Sequence, residues 1–168
     1  MNNRLPKCGV VVGVAALSII ISVLLSGRAP ATELVCYRRP LTTVAQSCLQ
    51  HILRTGHWRH SPEFHQEMLS VSVFAQLHLE APSLRHYVYV MDESSFCGTA
   101  GCSMIIAEVP KDGPCHEIYS GSGFVRATEL SAARDYGYRR IYTPCELRFD
   151  GHKYQQRHEE CPNINVQR

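Results

Sequence analysis

The sequence predicts an α+β fold in which two N-terminal helices pack on an antiparallel β-meander of about five to seven strands braced by disulfides. Three observations carry this. Apolar residues recur at helical spacing over Leu41–Thr55 and again from Ser61 to about Leu77. From Leu84 onward, runs rich in aromatic and β-branched residues alternate with turn signals. Finally, Cys97-Gly98-Thr99-Ala100-Gly101-Cys102 places two cysteines around a turn whose glycines tolerate positive φ, so a disulfide can close it and fix the register of the flanking strands.

In chain order, the N-terminus comes first. Arg4 and Lys7 precede an almost wholly apolar run from Cys8 to Leu25, and Ser26-Gly27-Arg28-Ala29-Pro30-Ala31 follows. Residues 1–31 therefore read either as a secretory signal peptide cleaved after Ala31 or as an uncleaved transmembrane helix, with residues 10–25 as the part in the membrane. Both readings place residues 32–168 outside the cytoplasm as a single domain, periplasmic or secreted, or anchored in the inner membrane. Of 17 basic residues, Arg4, Lys7 and Arg28 lie before Thr32, and all 15 acidic residues lie after it, so the exported part carries −1 rather than the +2 of the whole chain. No basic stripe suited to nucleic acid remains.

Thr32–Pro40 reads as irregular. The first helix buries Val44, Cys48 and Ile52, with Ala45 and Leu49 beside them, and Gly56 is placed to stop it in a left-handed cap. Ser61-Pro62-Glu63 offers an N-cap, a proline at the first helical position and an acid in the first turn, opening a second helix that buries Phe64, Met68, Val71 and Phe74 or Ala75. Strands are expected near 84–91, 102–109, 115–120, 123–127, 138–143, 145–150 and 152–157. Lys111-Asp112-Gly113-Pro114 and Gly121-Ser122-Gly123 read as turns, and Asp150-Gly151 is the strongest hairpin signal. Thr128–Asp135 fits a helical turn or a long loop.

Seven cysteines follow the N-terminal segment: Cys36, Cys48, Cys97, Cys102, Cys115, Cys145 and Cys161. An oxidising compartment favours disulfides over zinc for Cys97, Cys102, Cys115 and His116. Cys36 or Cys48 is expected to reach a cysteine of the C-terminal half; the odd count leaves one thiol free or one bond between molecules, and Cys48, on an apolar helix face, is the candidate for a buried inert thiol if one is free. His57, His60 and His65 with Glu63 lack the spacing of a helical metal site, so neither a metal nor a cofactor is implied.

Tyr87-Val88-Tyr89-Val90, the Cys97–Cys102 turn, Gly137-Tyr138-Arg139 and Phe149-Asp150-Gly151-His152-Lys153-Tyr154 together resemble a group of small exported proteins of Gram-negative bacteria with a Cys-Gly-x-x-Gly-Cys turn and a Phe-Asp-Gly-x-x-Tyr hairpin. The resemblance covers about 84–154. It implies an exported α+β domain with a disulfide-closed turn and carries over no catalytic residue.

The functional expectation is a non-enzymatic binding module of the cell envelope, inhibitor-like or immunity-like, facing an envelope protein through Tyr119, Tyr136, Tyr138, Arg139 and Arg140. Tyrosine and arginine make large contacts at low entropic cost, although cross-strand tyrosine pairs stabilising a sheet fit the same residues. The alternatives are a hydrolase using a cysteine and a histidine, for which Cys115-His116-Glu117 supplies the residue types but on opposite strand faces, or an envelope scaffold anchored through residues 10–25.

Overall fold

The computed structural model describes residues 32–79, 84–124, 128–143 and 145–157. The N-terminal segment 1–31 and Cys161 lie outside the described residues. Among the described residues, no helix is long and apolar enough to cross a membrane.

Among the described residues the chain builds two five-stranded antiparallel sheets and two short helices, not the single helix-covered meander that the sequence predicts. It opens with β1 (Thr32–Leu34). Helix α1 (Thr43–Thr55) is capped by the Thr42 hydroxyl, which accepts from the Ala45 N–H at 3.2 Å. Gly56 ends α1, yet at φ −86° rather than in a left-handed cap. Glycine is required there for space: a Cβ would collide with the Glu117 carboxylate and the Ile52 carbonyl. Two 3₁₀ turns, His57–His60 and Pro62–Phe64, lead into α2 (His65–Val71).

The predicted second helix stops there, because Ser72–Leu77 is strand β2. Val73, Ala75 and Leu77 face one core cluster and Phe74 the other. A short run buried on both faces carries no period that separates helix from strand. Next come β3 (Arg85–Met91), β4 (Cys97–Gly98), β5 (Gly101–Val109) and β6 (His116–Gly123). Strand β6 runs through the glycines read as a turn. They leave room for neighbours: a Cβ at Gly121 would strike the Tyr119 hydroxyl, and one at Gly123 the Met104 sulfur. Strands β7 (Glu129–Asp135), β8 (Tyr138–Thr143), β9 (Cys145–Phe149) and β10 (Tyr154–Arg157) complete the described residues. Thr128–Asp135 thus contributes a strand rather than a helical turn or loop.

Strands β2 to β6 form the central sheet, with β5 paired to β3 and β4 along one side and to β6 along the other. The second sheet has the order β1-β7-β8-β9-β10. It includes the Thr32 segment read as irregular, since Thr32 pairs with Ser131 and Leu34 with Glu129. Three layers result. Helix α1 contributes Ala45, Cys48, Leu49, Ile52 and Leu53 against Tyr87, Tyr89 and Ile105 on one face of the central sheet. The opposite face, with Val88, Val90, Met104 and Ile106, packs on Leu130, Ile141, Leu147 and Phe149 of the second sheet.

Cys97 bonds Cys102 directly across the β4–β5 turn, with Cα atoms 3.8 Å apart, and Cys48 on α1 bonds Cys115 just before β6, with Cα atoms 5.5 Å apart. Cys36 and Cys145 are also disulfide-bonded, and among the described residues no cysteine is free, so Cys48 is no spare thiol but reaches a cysteine of the C-terminal half, as expected of Cys36 or Cys48.

Candidate functional site

The outer face of the second sheet, away from the core, is where charged side chains converge. Side chains alternate across a strand, so Arg140 and Tyr142 on β8 stand on one face with Glu146 and Arg148 on β9, and the register sets Tyr142 opposite Glu146. Glu146 is only 1% exposed. A carboxylate taken that far from water has to be paired and hydrogen-bonded, and this one accepts three donors: Arg148 Nε at 2.6 Å, the Tyr142 hydroxyl at 2.8 Å and Arg140 Nη1 at 3.2 Å. Arg140 also grips Asp135 with two nitrogens, at 2.8 and 3.1 Å, and this pairing holds its guanidinium even more firmly protonated than usual. Strands β7, β8 and β9 are cross-linked by one charge lattice.

Beyond the lattice stand two hairpin tips. Asp135 pairs with Tyr138, and the two residues between them, Tyr136 at φ +50° and Gly137 at φ +88°, make a tight turn with both residues left-handed. Glycine takes that conformation without cost, whereas a side chain costs about 1 kcal/mol there. Tyr136 is nonetheless 75% exposed. The second tip joins β9 to β10. Asp150 accepts from the backbone N–H groups of His152 and Lys153, both at 2.9 Å, and from Gln155 Nε2 at 3.0 Å, which together hold its carboxyl down at about 2. The Tyr136 ring lies beside Gly151 of this tip.

Between the tips runs an open groove of about 300 Å³ lined by Asp135, Tyr136, Arg148, Asp150, Gln155 and Arg157. A second cleft, about 330 Å³, opens on the other flank of β10 between the edges of the two sheets, with His57, Glu117, Ser120, Lys153 and Gln155 in its walls. Burial pushes the Glu117 carboxyl up, against the His57 N–H that it accepts at 3.1 Å. The two hollows share Gln155 and Gln156, so β10 is a ridge with polar ground on both sides. A larger cleft, about 440 Å³, separates β1 from β2. It is lined by Val35, Phe74, Ala75 and Leu77 together with Arg38, Thr42 and Gln76, and its Glu33 is held by Arg139.

The five residues singled out from the sequence separate on this frame. Tyr136 and Arg140 belong to the outer face. Tyr119 and Tyr138 are buried at 6% and 8%, the latter stacked on Phe149 with ring centroids 3.9 Å apart and giving its hydroxyl to Glu108 at 2.6 Å. Arg139 points toward β1, holding the Ser131 carbonyl at 2.9 Å and Glu33 at 2.9 Å. Cys115 is bonded to Cys48 and presents no thiolate beside His116 and Glu117. Asp135, Glu146, Arg148 and Asp150 were not foreseen as a group. The one available signal was the charge spaced by two in Arg140-x-Tyr142 and Glu146-x-Arg148, which puts those side chains on one face of paired strands.

Comparison of the chain with models of protein families, with curated protein sequences and with solved structures finds no match.

Proposed function

We propose that this protein is a non-enzymatic binding module of the cell envelope, inhibitor-like or immunity-like, that engages a protein partner with the two hairpin tips and the groove between them. The observation that carries the reading is Tyr136, a large aromatic kept exposed at a turn position where glycine or asparagine is the cheaper residue. An outlier that folding alone disfavours is a pointer to use at that position. Around it, the Asp135–Arg140–Glu146–Arg148 lattice fixes the strands beneath, so little order has to be gained on binding. Tyrosine and arginine are the residues that dominate protein interfaces.

The disulfides fit an oxidising compartment, which supports an extracytoplasmic location. Within that reading the N-terminal segment is either removed or kept as an anchor that would make the domain an envelope scaffold. The mass of the exported chain separates the two, a loss of about 3 kDa marking removal.

The binding test replaces Tyr136 by a photo-crosslinking amino acid, with Val44 on the exposed side of α1 as the control position. A single envelope protein cross-linked from position 136 and not from 44, which then forms a stoichiometric complex in purified form and binds the Tyr136→Ala variant at least tenfold more weakly, supports the reading. Equal labelling from both positions, or unchanged affinity of the variant, would defeat it.

A further inference from the structure

At one end of the layer between the two sheets, three adjacent strands set titratable side chains side by side: His86 on β3 is opposite Glu108 on β5, which is opposite His116 on β6. Both imidazoles turn Nε2 toward the same carboxylate, His86 at 3.6 Å from Oε2 and His116 at 3.7 Å from Oε1. From the second sheet, Tyr138 donates its hydroxyl to that same Oε2 at 2.6 Å, the shortest side-chain bond that crosses from one sheet to the other. His86 is wholly buried, its ring lies edge-on to Tyr138 with centroids 5.5 Å apart, and among the described residues neither of its nitrogens has a hydrogen-bond partner.

An orphaned imidazole in the interior is costly, and this one has an evident remedy within reach. A proton gained by His86 makes a charge-assisted bond to Glu108 available for an approach of less than about 1 Å. The atom it would engage is the one that Tyr138 holds.

We propose that His86, Glu108 and Tyr138 form an acid-operated latch between the sheets: when His86 is protonated, the imidazolium draws Oε2 of Glu108 toward itself and loosens the bond from the Tyr138 hydroxyl, so that the tie through Tyr138 weakens while the Leu79 carbonyl keeps its bonds from the Arg139 N–H and from Arg134. The proton comes from solvent and stays on His86; no bond other than hydrogen bonds changes.

Among the described residues, the surroundings of His86 contain no other group that would play this part. After β2, His78 is exposed and opposes a second positive charge. Strand β6 contributes His116, which already leans on the other oxygen of Glu108. From β7, Arg134 is held by the carbonyls of Leu79 and Gly137. On β9 the neighbour of Tyr138 is the uncharged Phe149, and on β10 Tyr154 gives its hydroxyl to the Arg139 carbonyl at 2.6 Å. Burial keeps the imidazole neutral to lower pH than an ordinary histidine, with Glu108 pulling the other way, so the latch is closed near neutrality and opens in acid.

The test compares the chain as purified from the exporting cell with its Tyr138→Phe variant, by urea unfolding at pH 8 and at an acidic pH at which imidazole NMR shows His86 charged. The latch requires that Tyr138→Phe lower the unfolding midpoint at pH 8 and that this loss shrink to less than half once His86 is protonated. In a His86→Phe background the loss must be the same at both pH values. An equal loss at both pH values in the otherwise unaltered chain overturns the latch, as does a His86 that stays neutral down to acid unfolding. Should His86→Phe not fold, the comparison in the unaltered background decides alone.

Discussion

The two faces of the central sheet are covered in different ways. On one, helix α1 lies on Tyr87, Tyr89 and Ile105, fastened by the Cys48–Cys115 bond and by the Tyr89 hydroxyl donated to the Ala45 carbonyl at 2.8 Å. On the other, the second sheet rests on Val88, Val90, Met104 and Ile106 by side-chain packing, with polar ties from Tyr138 to Glu108 and from Arg134 and the Arg139 N–H to the Leu79 carbonyl. The helix layer is short and closed by a covalent bond. The sheet layer is broad and closed by interdigitation, and that is the side where an ionisable group can modulate the fit. A 13-residue helix on its own is marginal, and the bond to Cys115 fixes where it lies.

The most forceful way to break this comparison is to remove the clasp. The bond closes a loop with a sequence separation of 67, which corresponds to about 4 kcal/mol of chain entropy, against about 2 kcal/mol for the six-residue ring of Cys97 and Cys102. Paired Cys48→Ala and Cys115→Ala changes should therefore lower unfolding free energy about twice as much as the paired change at 97 and 102. Equal losses would mean that α1 is held by packing after all.

Next in size are the two isoleucines that stand back to back on β5, Ile105 toward α1 and Ile106 toward the second sheet, both wholly buried. Truncation to alanine is expected to cost about 3 kcal/mol at each. With the clasp removed, the Ile105→Ala loss should grow into detachment of α1, seen as fast amide exchange in residues 43–55, while Ile106→Ala keeps its cooperative unfolding.

A smaller effect separates the faces by pH. His86 has its folded value below its unfolded one, so the unfolded chain binds more protons in between. The stability tied to this residue is complete above the ordinary histidine value of 6.5 and is lost as pH falls through the depressed one, at no more than about 1.4 kcal/mol per pH unit. A His86→Phe variant should flatten that part of the curve measured by urea titration between pH 8 and 5. The smallest change is at the turn: Tyr136→Gly should raise stability by about 1 kcal/mol through relief of the left-handed backbone while weakening the partner complex, as measured by thermal unfolding and binding in parallel.

Local pattern was enough for α1 and for β3, β5, β8, β9 and β10, because each has a clear apolar period or a flanking turn signal. It failed at Ser72–Leu77, where burial on both faces erases the period, and at Gly121–Gly123, where glycine serves close packing rather than a turn. The division into two sheets was beyond reach because, β1 with β7 aside, every pairing joins near neighbours in the chain, and what separates the sheets is that β6 and β7 do not pair, which no local residue encodes. The site was legible in part for a related reason. Tyr136 and Arg140 stand on the outer face, but Tyr119 and Tyr138 serve as the cross-strand and inter-sheet aromatics that the same residues equally suggest. The carboxylates that organise the face, Asp135 and Glu146, gain meaning only once Arg140 lies beside both.

The pairing of β1 with β7 has a consequence for how the molecule is put together. The central sheet is drawn from a continuous stretch, Ser72 to Gly123, and can close as soon as its last residue has emerged. Thr32 must wait for Ser131, 99 positions later, before it has a neighbour. The earliest strand among the described residues is thus among the last to be seated, and until then its edge needs protection from chance pairing with other chains.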